Sequence, residues 1–261
     1  LVWDWKLHYI SKIQSMRYCA VIPIYNNYKT ISEVAKSVTQ FVERVYVVDD
    51  GSDDETKSVL ADLSSQVDGI KTITLPENSG KGKALTAGFA AAYADSYEYA
   101  VTLDADGQHF AEDIPVLVSK VSEERPTLVC GVRNITTQEN MPSKNTFANK
   151  FSNFWFKVET GRELPDTQCG FRVYPLKEIA KRHIFSSRYE AELEMLVRLC
   201  WADVDIQTAP IKVYYAPDGE RVTHFRPFAD FSRISVMNTV LCLGALFYYW
   251  PKKIFRYVCG K

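Results

Sequence analysis

Asp104 and Asp106, in Leu103-Asp104-Ala105-Asp106, end an apolar run with no basic residue beside them. Carboxylates held this close repel unless water or a cation neutralises them. A hard divalent ion with oxygen ligands, its shell completed by waters and substrate phosphates, is an economical solution. Alone, the pattern also fits a solvated turn. A second acidic pair, Asp49-Asp50, ends another apolar run. Four carboxylates brought together suit a cation plus sugar or ribose hydroxyls. A third segment, Asn78-Ser79-Gly80-Lys81-Gly82-Lys83, opens a stretch with helical periodicity. Its glycines would let backbone approach a phosphate, its helix N-terminus favours anions, and its lysines add charge. The segment is not a Walker A loop. The first apolar run leads into Pro23-Ile24-Tyr25-Asn26-Asn27 rather than G-x-G-x-x-G, which argues against a dinucleotide dehydrogenase.

These residues meet only if the elements carrying them converge. Strands are predicted over Tyr18 to Ile24, Val45 to Val48, Ile70 to Leu75 (an edge strand), Tyr99 to Leu103 and Thr127 to Val132. Helices are predicted between them, at Ile31 to Phe41, Asp54 to Val67, Lys83 to Tyr93 and Glu112 to Val121. Strands apolar throughout, alternating with helices, indicate an α/β fold whose mostly parallel sheet is covered on both faces. Ligands bind such sheets beyond the carboxyl ends of the strands, so the polar residues after Ile24, Val48 and Leu103 should share one site. Beyond Val132 the rhythm changes. A helix is expected over Pro142 to Thr160, extended chain over Asp166 to Tyr174, and a helix over Tyr189 to Trp201. Short strands over Val204 to Gln207 and Ile211 to Tyr215 and a final helix from about Phe228 to Trp250 follow. The expected division is an N-terminal extension (1–17), one α/β domain (18–226) and an apolar, basic helical segment (227–261).

The motifs together resemble family 2 glycosyltransferases, whose fold is the Rossmann-like GT-A arrangement. They are Val21 to Asn27 (VIPIYNN), Val47 to Ser52 (VVDDGS), Asn78 to Phe89 (NSGKGKALTAGF), Leu103 to His109 (LDADGQH) and Asp166 to Pro175 (DTQCGFRVYP). The pattern looks most like the dolichyl- or polyprenyl-phosphate sugar synthases. The resemblance implies a UDP- or GDP-sugar donor, Mg²⁺ or Mn²⁺, inversion at the anomeric carbon and a lipid-phosphate acceptor. It implies that Pro23, Tyr25 and Asp50 hold base and ribose, with Asn27 where many relatives have Glu. Gly80 and Lys81 would face the nucleotide, and Asp104 and Ala105 the ribose or sugar. Asp106, with Asp104 and Gln108, would ligate the metal. A basic set, Arg133 with Lys144 and Lys150, would receive the acceptor phosphate. The Q-x-x-R-W of processive polymer synthases is absent.

Glu192 stands out without the resemblance. On its predicted helix it falls at the edge of the apolar face, where a carboxylate is costly unless paired. It also matches the Glu of the F-D-x-E-L pattern in the resembling enzymes. Glu190, Glu194 and Arg198 fall on the polar side, with Glu194 and Arg198 as an ordinary i,i+4 pair. A phosphate acceptor needs no general base. A lipid or glycan hydroxyl would, and Asp166, Glu190 and Glu192 are the available carboxylates. A non-catalytic nucleotide-sugar-binding module is the third reading.

Charge completes the expectation. The 31 Lys and Arg nearly cancel the 32 Asp and Glu, which excludes a strongly basic nucleic-acid binder. The cancellation is uneven. Residues 220–261 carry a net +5, leaving −6 for the other 219. Arg221, His224 and Arg226 precede the last helix, suited to a pyrophosphate or lipid headgroups. Ile234 to Trp250 carries no charge, and Pro251-Lys252-Lys253 follows. Those seventeen helical residues span roughly 26 Å, less than a hydrocarbon core, and suit either an anionic interface on the cytoplasmic membrane face or a core helix covering the sheet, on different faces. The six cysteines lack C-x-x-C spacing and read as small buried hydrophobes of a reducing compartment. The chain opens without Met, as a fragment of a longer protein would, and shows no secretory signal.

Overall fold

Apolar strands separated by helices fold into a seven-stranded sheet covered on both faces. The structure, a computed structural model, describes residues 16–133, 143–214 and 226–259. The chain forms β1 (Tyr18–Ile24), α1 (Tyr28–Val38), β2 (Val45–Asp49), α2 (Asp54–Gln66), β3 (Ile70–Thr74), α3 (Lys81–Ala94) and β4 (Tyr99–Thr102). It continues through α4 (Ile114–Val118), β5 (Thr127–Arg133), α5 (Ser143–Thr160), β6 (Arg172–Pro175), α6 (Leu176–Ala180), α7 (Glu190–Trp201) and β7 (Asp205–Ile211). The sheet order is β3-β2-β1-β4-β6-β5-β7, with only β6 antiparallel to its neighbours. From β1 the chain builds outward through β2 and β3, then returns to place β4 on the other side of β1. A crevice at such a reversal is where open α/β sheets hold ligands.

Both sheet faces are apolar because each strand presents apolar residues to both. Ile22, Val47 and Val101 pack under α1, α2 and α4 with Ile31, Leu60 and Leu117. Val21, Val48 and Tyr174 pack under α3 and α7 with Phe89 and Leu196. β3 is the edge strand its alternating residues predict.

Three local expectations are corrected. Helix formation near Glu112 is a single 3-10 turn followed by α4, because Pro115 suits only the first turn of a helix. The two short strands after Trp201 are one strand, β7, and Val213 keeps only an isolated bridge to His109. Residues 166–171 are loop rather than strand, gathered around the side chain of Arg172.

The C-terminal helix is longer than its uncharged segment. α8 (Pro227–Gly244) passes through a π-helical turn (Ala245–Tyr249) into α9 (Trp250–Val258). Pro251 does not stop it, because proline is accepted in the first turn that restarts after the π turn. Phe228–Val258 is therefore one run of 31 residues, long and apolar enough to cross a membrane by length and composition. Leu241, Ala245 and Tyr249 face the body, whereas Val236, Val240, Leu243, Leu246 and Phe247 are exposed.

Under this helix lies Glu159 of α5, fully buried. Among the described residues its Oε1 accepts the weak Sγ–H of Cys242 and its Oε2 has no hydrogen-bond partner. Burial pushes its carboxyl up to about 8. The neutral form is therefore the folded one. Stability from this group is complete below its ordinary pKa and is lost as pH rises towards 8. Glu159→Gln should remove that loss, leaving the variant more stable than the parent by about 2–4 kcal/mol at pH 8.5 and equal to it near pH 4. Urea melts across that range check this.

Candidate active site

The site forms where β1, β2 and β4 end. Asp49 ends β2 and Asp50 follows it, and both are buried. Asp49 Oδ1 accepts the Ser52 amide at 2.8 Å and shapes the turn. Asp50 accepts the amides of Ser79 and Gly80, each at 2.7 Å. Burial raises its carboxyl, and those two amides partly offset the rise.

This changes the reading of the glycine segment. The amides ahead of α3, expected to cradle a phosphate, are occupied by Asp50, so the helix N-terminus already holds the protein's own anion. The glycines serve close packing. Gly80 has φ +99°, and a Cβ there would stand 2.5 Å from the Ser187 carbonyl oxygen. A Cβ on Gly82 would stand 2.3 Å from that of Ala191. The segment before α7 thus lies directly against the start of α3, where the Lys83 amide donates to the Ser187 carbonyl at 3.1 Å.

That packing joins Lys81 to Glu192. Lys81 Nζ lies 2.6 Å from Asp104 Oδ1 and 2.8 Å from Glu192 Oε2. Burial pulls the ammonium down, but the two carboxylates outweigh it and hold it above its usual range. Asp104 shows the mirror effect. Burial opposes its charge, and Lys81 overrides this to keep the carboxyl below its usual range. Glu192 Oε1 is buried and has no hydrogen-bond partner. Gly170 forms the floor: a Cβ there would stand 3.0 Å from Asp104 Oδ2 and 3.1 Å from Lys81 Nζ.

Asp106, two residues after Asp104, is half-buried, with its Oδ1 accepting the Gln108 amide at 3.0 Å. Among the described residues no group of three His, Cys, Asp or Glu side chains forms a cage for a metal. The donor set fits a Mg²⁺ or Mn²⁺ that takes one or two carboxylates and completes its shell with phosphates and water. Asp106 provides such a carboxylate. Asp104 is committed through Oδ1 to Lys81.

Beside the loop lies a second ion pair. Arg133 ends β5 and grips Asp166 bidentately, Nε to Oδ2 at 2.7 Å and Nη2 to Oδ1 at 2.8 Å. The Arg133 amide also donates to Oδ2 and the Gln168 amide to Oδ1. The Asp166 carboxylate is fully buried and has four donors. His109 stands among Asp104, Lys81, Arg133 and Asp166, and burial lowers its imidazole to about 4, so it is neutral near pH 7.

Arg172 supports both clusters from below. It is buried and donates to the carbonyls of Cys169, Thr167 and Glu192 and to the Tyr174 hydroxyl. One side chain therefore ties the 166–171 loop to α7. Only its place in an apolar strand, between Phe171 and Val173, hinted at this in the sequence.

Other expected residues fall as follows. Pro23 and Tyr25 line the end of β1, both half-buried. Asn27 turns instead to Ala105, donating from Nδ2 to its carbonyl at 3.1 Å. Glu190 and Glu194 are buried, not on a solvated face. Glu194 accepts from the Phe185 and Ser186 amides, the Ser186 hydroxyl and Arg198, because the loop before α7 folds over that side of the helix. Arg226 is exposed ahead of α8, with its amide donating to Asp230 at 2.7 Å. Lys150 is exposed on α5. Arg221, His224 and the side chain of Lys144 lie outside the described residues. Tyr189 was not singled out by sequence. Burial chiefly raises its hydroxyl, which Lys81 opposes and Asp104, Asp230 and Glu192 reinforce. α8 packs against α7, the helix that carries Glu192.

The family model described as glycosyl transferase family 2 matches residues 19–180. The UDP-N-acetylglucosamine–dolichyl-phosphate N-acetylglucosaminyltransferase of Methanococcus voltae is 27% identical over 75% of this chain and 84% of its own length. The undecaprenyl-phosphate 4-deoxy-4-formamido-L-arabinose transferase of an Enterobacter species is 31% identical over 68% of this chain and 53% of its own. Among solved structures, glucosyl-3-phosphoglycerate synthase from Mycobacterium tuberculosis, crystallised with Mn²⁺, UDP and phosphoglyceric acid, superposes with a TM-score of 0.66. It is 19% identical over 90% of this chain and 80% of that one, a likeness of GT-A fold. The chain belongs to glycosyl transferase family 2 and is a glycosyltransferase.

Proposed function

We propose that this enzyme moves a sugar from a UDP- or GDP-sugar to a polyprenyl phosphate at the cytoplasmic face of a membrane, with inversion and with Mg²⁺ or Mn²⁺. The polyprenyl-phosphate transferases among its relatives support the substrate class. The observation that carries the acceptor assignment is the Arg133–Asp166 pair. Asp166 has all its acceptor sites engaged, so it is poorly placed to deprotonate a hydroxyl, and it fixes a guanidinium beside the loop of Asp104 and Asp106. A fixed guanidinium suits a phosphate, which is already anionic and attacks without a base. α8 packs against the helix that carries Glu192, and its exposed apolar face suits a lipid tail in a bilayer.

In this reading Pro23, Tyr25 and Asp50 frame the nucleoside. Asp106, with Gln108, would hold the metal, which when bound would neutralise charge building on the diphosphate. Glu192 and Asp104 orient Lys81, whose ammonium faces the same diphosphate. A phosphate oxygen of the acceptor attacks the anomeric carbon from the side opposite the diphosphate. The new C–O bond forms as the C–O bond to the nucleoside diphosphate breaks. Arg133 holds the acceptor throughout.

Arg133→Met should raise the KM for polyprenyl phosphate about 10–100-fold, the worth of a charge-assisted pair, and leave the donor KM within about threefold. Initial rates against acceptor concentration test it. An unchanged acceptor KM would contradict the assignment.

A further inference from the structure

Asn27 stands at the N-cap of α1, a position where Asn ordinarily accepts from the helix's own amides. Here it makes no side-chain cap hydrogen bond. Its Nδ2 instead crosses from β1 to the loop after β4 and donates to the Ala105 carbonyl at 3.1 Å. Thr30, in the first turn of α1, donates its hydroxyl to the same carbonyl at close range, and its Oγ1 lies 3.1 Å from Asn27 Oδ1. Asn27 is 8% exposed and Ala105 6%, so water competes little for these bonds. Both lone pairs of the Ala105 oxygen are thus engaged by the start of one helix. The bonds span the crevice between β1 and β4, where the strand order reverses.

We infer that Asn27 and Thr30 are positioning residues that set the peptide between Asp104 and Asp106. That peptide sets how the two carboxylates are held, Asp104 on Lys81 and Asp106 on the Gln108 amide. The amide of Asn is required over a carboxylate, since an acceptor facing the Ala105 oxygen would repel it and add charge beside two aspartates. Neither residue touches substrate in this account, and Asn27 is not a ribose contact. The inference rests on the proposed donor and metal site.

The test compares wild type with Asn27→Ala, Thr30→Val and Thr30→Ser. Binding of MnCl₂ with UDP, and with GDP, is followed by the electron paramagnetic resonance of Mn²⁺, with a thermal melt of each chain. Asn27→Ala and Thr30→Val should each weaken Mn²⁺–nucleotide binding about tenfold, raise the donor KM similarly and leave kcat within about threefold. Thr30→Ser, which keeps the hydroxyl, should stay within twofold of wild type. Equal binding by all four folded chains would overturn the clamp alone. Loss in Thr30→Ser equal to that in Thr30→Val would overturn it too, because the hydroxyl would then not be the cause. No Mn²⁺–nucleotide binding by wild type would overturn the donor reading and this inference together.

Discussion

Lys81→Met should leave a folded but weakened enzyme with its transfer rate lowered at least about 100-fold. Removing the ammonium strands Asp104 and Glu192, both mostly buried, within reach of one another. Breaking a buried pair by deleting one partner costs about 3 kcal/mol or more. The pH dependence separates this from simple loss of packing. In the parent, Asp104 has a lowered carboxyl, so its stabilisation is complete above the ordinary Asp pKa and fades as pH falls through the lowered value. In the variant the two stranded carboxylates repel, and protonating one relieves them. The variant should therefore recover stability between pH 7 and 5, where the parent's Asp104 contribution is constant. Urea melts at both pH values measure it, and an equal deficit at the two would contradict the ion-pair account.

Asp106→Asn should lower transfer about 10²–10³-fold or more at saturating Mn²⁺, with a melting temperature close to that of the parent. The residue is half-buried, so little folding energy depends on it. Its charge matters where diphosphate charge develops, and such interactions contribute several kcal/mol to the barrier, or one decade per 1.4 kcal/mol. Retention of near-full transfer with metal saturating would remove Asp106 from the machinery.

Much of this site was legible in the sequence because strand ends and polar residues coincide. β1 forms over the predicted residues, and Asp49, Asp50, Asp104 and Asp106 follow the strands whose ends converge. Glu192 was recognisable as costly on an apolar edge, and the structure shows what it pairs with. Other features depend on contacts between distant segments, which periodicity does not encode. Glu194 looks like half of a surface pair, but a loop eight residues earlier buries it. The glycines near Lys81 look like a phosphate cradle, but Asp50 and Ser187 take that space. The resemblance assigns Asn27 to the nucleotide, and no periodicity announces that its amide bonds a carbonyl seventy-eight residues away. The end of the last helix was misjudged at Pro251, since a π turn ahead of a proline leaves no period to read.

The acceptor is the centre of the account. Purified enzyme, with Mn²⁺ and radiolabelled UDP- and GDP-sugars, should be offered polyprenyl phosphate, the matching free polyprenol and diacylglycerol in parallel. Label should enter polyprenyl phosphate from one of the two donor classes and be lost with Arg133→Met, while the two hydroxyl lipids stay unlabelled. Efficient labelling of a free hydroxyl lipid, with none of polyprenyl phosphate, would contradict it.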